Sequence, residues 1–134
     1  MSDIEASVEK YVASWAEPDA ELRRKTIAEL WVTDAVYKNQ IAEYLGLEGI
    51  EEAVTEAYDM FATKGYRFNV ARVDINHDVV RYVWEMLPPD GDTPEAIGTQ
   101  VVIVNADGRM VRDHQFVDKA PEGMEELLGI STDA

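Results

Sequence analysis

The sequence predicts an α+β fold, a cone-shaped curved antiparallel sheet with three N-terminal helices enclosing a pocket. Three observations carry this. Apolar residues recur at helical spacing up to about Gly65, the period changes to two from Tyr66 onward, and Asn105-Ala106-Asp107-Gly108 separates two runs rich in β-branched residues. Helices followed by a strand meander place the helices on one face of a sheet.

Ser2 followed by Glu5 has the form of a capping box, and Ile4, Val8, Tyr11, Val12 and Trp15 then fall on one helical face. That helix ends near Glu17-Pro18. Asp19 caps a second helix with the stripe Leu22, Ile27, Leu30 and Trp31, closed by Thr33-Asp34. Ala35-Val36-Tyr37 is a short extended piece, and Lys38 to Gly46 reads as irregular. Gly49 opens a third helix that buries Ile50, Val54, Ala57, Tyr58 and Phe61, with Gly65 as its left-handed terminator. Tyr66 to Ile75 and Val79 to Leu87 are strands around the turn Asn76-His77-Asp78, and the breaker-rich stretch from Pro88 to Pro94 is a loop. Ile97 to Val117 forms the last hairpin. A short helix is expected around Met124 to Leu128.

The chain of 134 residues reads as a single domain over 1–134, with its core in about 4–118 and a tail over 119–134. It has no cysteine, which excludes disulfides, thiolate metal sites and thiol nucleophiles. With 27 acids against 12 bases and a net charge of −15, it would be repelled by a phosphate backbone or an anionic membrane. No nucleic-acid or membrane partner is therefore expected. The N-terminus lacks the basic start of a signal peptide and no apolar run approaches a membrane span, so a cytoplasmic location is expected.

Aromatic residues are well placed to line a pocket: Tyr11, Trp15, Tyr58 and Phe61 from helices, and Tyr82 and Trp84 from a strand. Further residues carry a family resemblance. Val8-Glu9-Lys10-Tyr11-Val12, the run from Glu29 to Tyr37, Gly49-Ile50, and Asp107 to Val111 running on to Val117-Asp118 resemble the nuclear transport factor 2-like superfamily and its SnoaL-like group. The resemblance spans about Ile4 to Asp118. It implies a cone with a pocket for small apolar molecules, often a homodimer through the convex sheet face. The activities it implies run from ketosteroid isomerases, polyketide cyclases, epoxide hydrolases and dehydratases to binding proteins without catalysis.

Position by position, the resemblance is selective. Tyr11 matches the isomerase tyrosine that donates to the substrate oxyanion. Asn39 stands where the isomerase has its aspartate base, and an amide does not accept a proton at neutral pH. Gln100 stands where the isomerase has a protonated aspartic acid. Gln115 stands where cyclases and epoxide hydrolases have a catalytic aspartate. Three family acids are thus amides.

The expected function is therefore binding of a small apolar or carbonyl-bearing molecule, with Tyr11, Trp15, Asn39, Tyr58, Phe61, Trp84, Gln100 and Gln115 as ligand-binding residues. The alternative is an enzyme of the cyclase, isomerase or dehydratase type, with Asp113 as base and Tyr11 or Gln100 as donor. It turns on register, because Asp113 and Gln115 face inward in one register and Arg112, His114 and Phe116 in the other. The first follows the family; the second makes His114 the candidate base. His77 is a solvated turn residue, Asp34 a polar cap, and two such separated histidines offer no metal spacing. No cofactor is expected.

Overall fold

The computed structural model describes residues 3–125. Helix α1 (Asp3–Ser14) buries Val8, Tyr11 and Val12 along the face that the apolar spacing marks. The serine of the expected capping box lies outside the described residues, as does most of the expected tail helix. Helix α2 (Ala20–Leu30) begins where Asp19 accepts a hydrogen bond from the Glu21 amide at 2.9 Å. Strand β1 (Trp31–Lys38) follows without a break.

This corrects the helix end at Thr33-Asp34. Trp31 leaves the helix with extended backbone (φ −116°, ψ 151°) and is fully buried, while Leu22 of the expected stripe is 49% exposed. Trp31-Val32-Thr33 is a β-preferring run whose apolar residues fit either period. Asp34 is exposed.

Short strand β2 (Glu43–Leu45) pairs antiparallel with β1, so the stretch expected to be irregular is partly ordered. Helix α3 (Gly46–Met60) starts three residues before Gly49, and its buried face is Gly49, Ile50 and Val54. A single 3-10 turn (Ala62–Lys64) ends at Gly65, whose φ of 91° is left-handed. Strands β3 (Arg67–Asn76), β4 (Val79–Leu87), β5 (Ala96–Val104) and β6 (Met110–Lys119) form the meander.

The six strands make one curved, unclosed sheet in the order β2-β1-β6-β5-β4-β3. The pairings within the meander are antiparallel as expected, but the sheet is mixed because β1 runs parallel to β6. Parallel neighbours need a long connection, and helix α3 with four intervening strands supplies it.

One face of the meander is packed under the helices. Val80, Tyr82, Trp84 and Met86 on β4 alternate inward, as do Ala96, Gly98, Gln100, Val102 and Val104 on β5. On β6 the alternation is interrupted. Ile103 pairs with Arg112 but Val104 pairs with Met110, so Val111 is an extra residue, a β-bulge. Met110 and Asp113 are both buried although an odd number of positions apart. A second register shift pairs Gly98 with Val117 and Ile97 with Lys119.

Candidate functional site

Between the inner sheet face and the helices lies a cavity of about 300 Å³. Its walls are aromatic. Tyr11 enters from α1, Trp15 from the turn that follows it, Phe61 from the end of α3, Phe68 from β3 and Trp84 from β4. Trp15 is the hinge of this wall, meeting Tyr11, Phe68 and Trp84 edge to face at centroid distances of 5.6, 5.4 and 5.7 Å. Trp84 lies directly over Gly98, where a Cβ would come within 2.3 Å of its indole carbons. Only glycine lets the ring lie there.

Gln100 and Gln115 bring polar groups to this apolar enclosure from directly paired positions on β5 and β6. Behind them Asp113 is completely buried and is not part of the cavity wall. Its Oδ2 accepts a hydrogen bond from Gln100 Nε2. Burial pushes the Asp113 carboxyl well above the usual carboxylate range, and the Gln100 hydrogen bond only partly opposes this. Tyr11, Tyr37 and Tyr82 have their hydroxyl pKa raised, first by burial and then by the Asp113 carboxyl. Asp113 is thus a neutral acid among neutral phenols. With its Nε2 engaged, Gln100 has Oε1 buried without a protein partner, and so does Asp113 with Oδ1. Gln100 thus has one N–H committed to Asp113 and keeps a second N–H and its carbonyl oxygen.

The mouth is built by β1, β2 and α3. Asn39 Oδ1 accepts from the Ile41 and Ala42 amides at 3.0 and 2.8 Å, so this side chain shapes the turn as well as lining the rim. Tyr37 and Tyr44 stack at 5.5 Å. Tyr44 donates a hydrogen bond of 2.6 Å to Glu56 Oε2, joining β2 to α3 across the opening.

The cavity therefore brings together Tyr11, Trp15, Asn39, Phe61, Trp84, Gln100 and Gln115. Tyr58 stands apart from it. The cavity side of α3 carries Ala53, Ala57 and Met60 as well as Val54, whereas the Tyr58 ring packs under the Arg23 guanidinium of α2, 4.7 Å from its centroid. His114 is on the other face of the sheet from Asp113, paired with Val101 and Lys38. Tyr82 is core, fully buried beside Asp113 rather than on the wall.

Tyr37, Tyr44, Glu56 and Phe68 also line the cavity. The pairing of Phe68 with Met86 is a register signal that the β3–β4 hairpin contains. Glu56 gives no signal in sequence, since it is exposed on a helix with other acids.

The model of the SnoaL-like domain family matches residues 8–113. Among solved structures, a candidate isomerase of the SnoaL-like family from Agrobacterium tumefaciens is 32% identical, with 88% of this chain and 99% of that one covered and a TM-score of 0.78. A candidate polyketide cyclase from Sinorhizobium meliloti is 18% identical over 87% of this chain and 95% of its own, with a TM-score of 0.65. A protein of ketosteroid isomerase-like fold from Catenulispora acidiphila, in complex with trimethylamine, is 14% identical over 96% of this chain and 95% of its own, also with a TM-score of 0.65. These last two are likenesses of fold. No curated protein shows significant similarity to the chain.

Proposed function

The chain belongs to the SnoaL-like domain family, and from that premise we propose that it binds a small, mostly apolar molecule in the aromatic cavity. The observation that carries the reading is the pairing of about 300 Å³ of aromatic-walled space with Gln100 and Gln115 at its sheet side. The walls bury the apolar body. Tyr11 and Gln115 have hydrogen-bond donors for a carbonyl oxygen, and the Gln100 amide adds an uncharged polar group to the same wall. Asp113 acts as a positioning residue that fixes the Gln100 amide.

Tryptophan fluorescence tests this, since Trp15 and Trp84 both line the cavity. Cyclic enones and aryl ketones are expected to change the emission saturably, and Phe61→Ala to weaken their binding about ten-fold. Saturable binding that Phe61→Ala leaves unaltered would place the ligand elsewhere.

A second reading is an isomerase or cyclase with Asp113 as the proton-transferring group. It is favoured by the assignment of the Agrobacterium tumefaciens relative as a candidate isomerase, and it requires the ligand to displace Gln100 far enough to reach the Asp113 carboxyl behind it. Turnover of a bound enone that Asp113→Asn abolishes, with affinity retained, would establish it in place of simple binding. Self-association through the outer sheet face is part of the proposal, supported by Phe116, which is 52% exposed on that face opposite Thr99. Light scattering is expected to give a dimer that Phe116→Asp dissociates; a monomeric parent protein refutes it.

A further inference from the structure

We propose that the ligand carries a positively charged amine or quaternary ammonium group, held at the cavity mouth by Glu56 and the faces of Tyr37 and Tyr44. The inference rests on the binding reading above and names the charge of the molecule bound.

The cavity wall contains, among the described residues, one charged side chain, Glu56, and no lysine, arginine or histidine. Among the described residues Glu56 forms no ion pair with a basic group, although neighbouring Glu51 on the same helix is paired with Arg24. Its carboxylate is instead tied down by a neutral donor, the Tyr44 hydroxyl. That bond occupies Oε2 and fixes the carboxylate at the opening while leaving its charge uncompensated. An anionic ligand would meet this carboxylate with no cation to offset it. A cationic one gains from it.

The aromatic surface points the same way. Tyr37 and Tyr44 stack nearly parallel, 24° apart, and both line the cavity beside Glu56. Aromatic faces carry negative potential and attract ammonium groups, most strongly where water is thin. Trp15 and Trp84 continue the aromatic lining inward. At the sheet side the cavity is lined by the uncharged amides of Gln100 and Gln115, with no cationic group among the described residues to receive a carboxylate. The net charge of −15 adds a field that draws cations toward the protein as a whole.

Two isosteric probes separate charge from shape: 3-hydroxyphenyltrimethylammonium and neutral 3-tert-butylphenol. Titrated against the full chain by tryptophan emission, the cation is expected to bind about ten-fold more tightly. Glu56→Gln, a change at an exposed position, should narrow that preference to about three-fold or less, and Glu56→Lys should abolish or reverse it. Equal or tighter binding of the neutral probe to the parent protein overturns the inference while leaving the cavity as a binding site. A cation preference that Glu56→Gln and Glu56→Lys both leave intact overturns the assignment to this mouth. Failure of both probes to bind removes the binding reading and this inference together.

Discussion

Replacing Asp113 by Asn should change how stability depends on pH. Below the unfolded-state value of 3.8 both the folded and unfolded chains hold this proton, so it contributes no pH dependence. Above 3.8 the unfolded chain releases it, whereas the folded chain keeps it because burial disfavours the carboxylate. The unfolded state then binds fewer protons than the folded one, and stability falls as pH rises, until the raised folded-state pKa is reached. The slope from one such group is about 1.4 kcal/mol per pH unit. Asn has nearly the same shape and no proton to lose. The stability of Asp113→Asn relative to the parent should therefore climb by about that slope from about pH 5 upward, flattening where the folded carboxyl ionises. Urea unfolding followed by tryptophan fluorescence at about pH 5, 6, 7 and 8 measures it, with the m-value as a check that the unfolding transition is unchanged. Parallel stability curves for the two proteins would show that Asp113 is ionised in the fold, and the neutral-acid account of the site would fall.

Gly98→Ala should force the Trp84 indole off β5, costing about 1–3 kcal/mol, with a shifted tryptophan emission maximum; an unchanged emission and melting temperature would refute the close packing. Asp19→Ala removes the cap of α2 and should cost about 1 kcal/mol in urea unfolding, with Asp19→Asn nearly silent. Tyr58→Leu should disturb the Arg23 contact yet leave probe affinity within about two-fold, whereas Trp15→Leu should weaken it about ten-fold or more. His114→Ala should leave probe affinity unchanged, because that side chain is on the far face from the cavity; a loss would reverse the facing of β6.

Much of this architecture is local in origin and so can be read from the chain. Asp19 caps its helix through its own side chain, and Asn105 to Gly108 turns the last hairpin with Gly108 at a φ of 80°. The alternation on β4 and β5 needs only the two-residue period. What was not legible depends on distant partners. β1 extends back to Trp31 because β6 pairs there, although its apolar residues also continue the stripe of α2. The tethering of Gln100 follows from a diagonal contact with Asp113, which sequence alone does not show. Tyr58 follows Val54 by four residues and shares its stripe in projection, yet its ring turns to α2. Glu56 becomes part of a mouth only when β2, a strand too short to carry a pattern, brings Tyr44 beside it.

The additional residue at Val111 makes the polar chemistry of the cavity a matter of counting. Asp113, Gln115 and Val117 face the helices because Val111 is passed over in the pairing; were Val111 paired in regular register opposite Ile103, Arg112, His114 and Phe116 would take their places. Loss of the bulge with the sequence kept would exchange a buried acid and two uncharged side chains for a guanidinium, an imidazole and a phenyl ring, whereas deleting Val111 would leave the facing as it is. Substitutions can only adjust the present set one member at a time. The pairing of this one residue fixes the whole set in a single step, so the bulge at Val111 is as much a determinant of what the cavity can hold as any side chain on its wall.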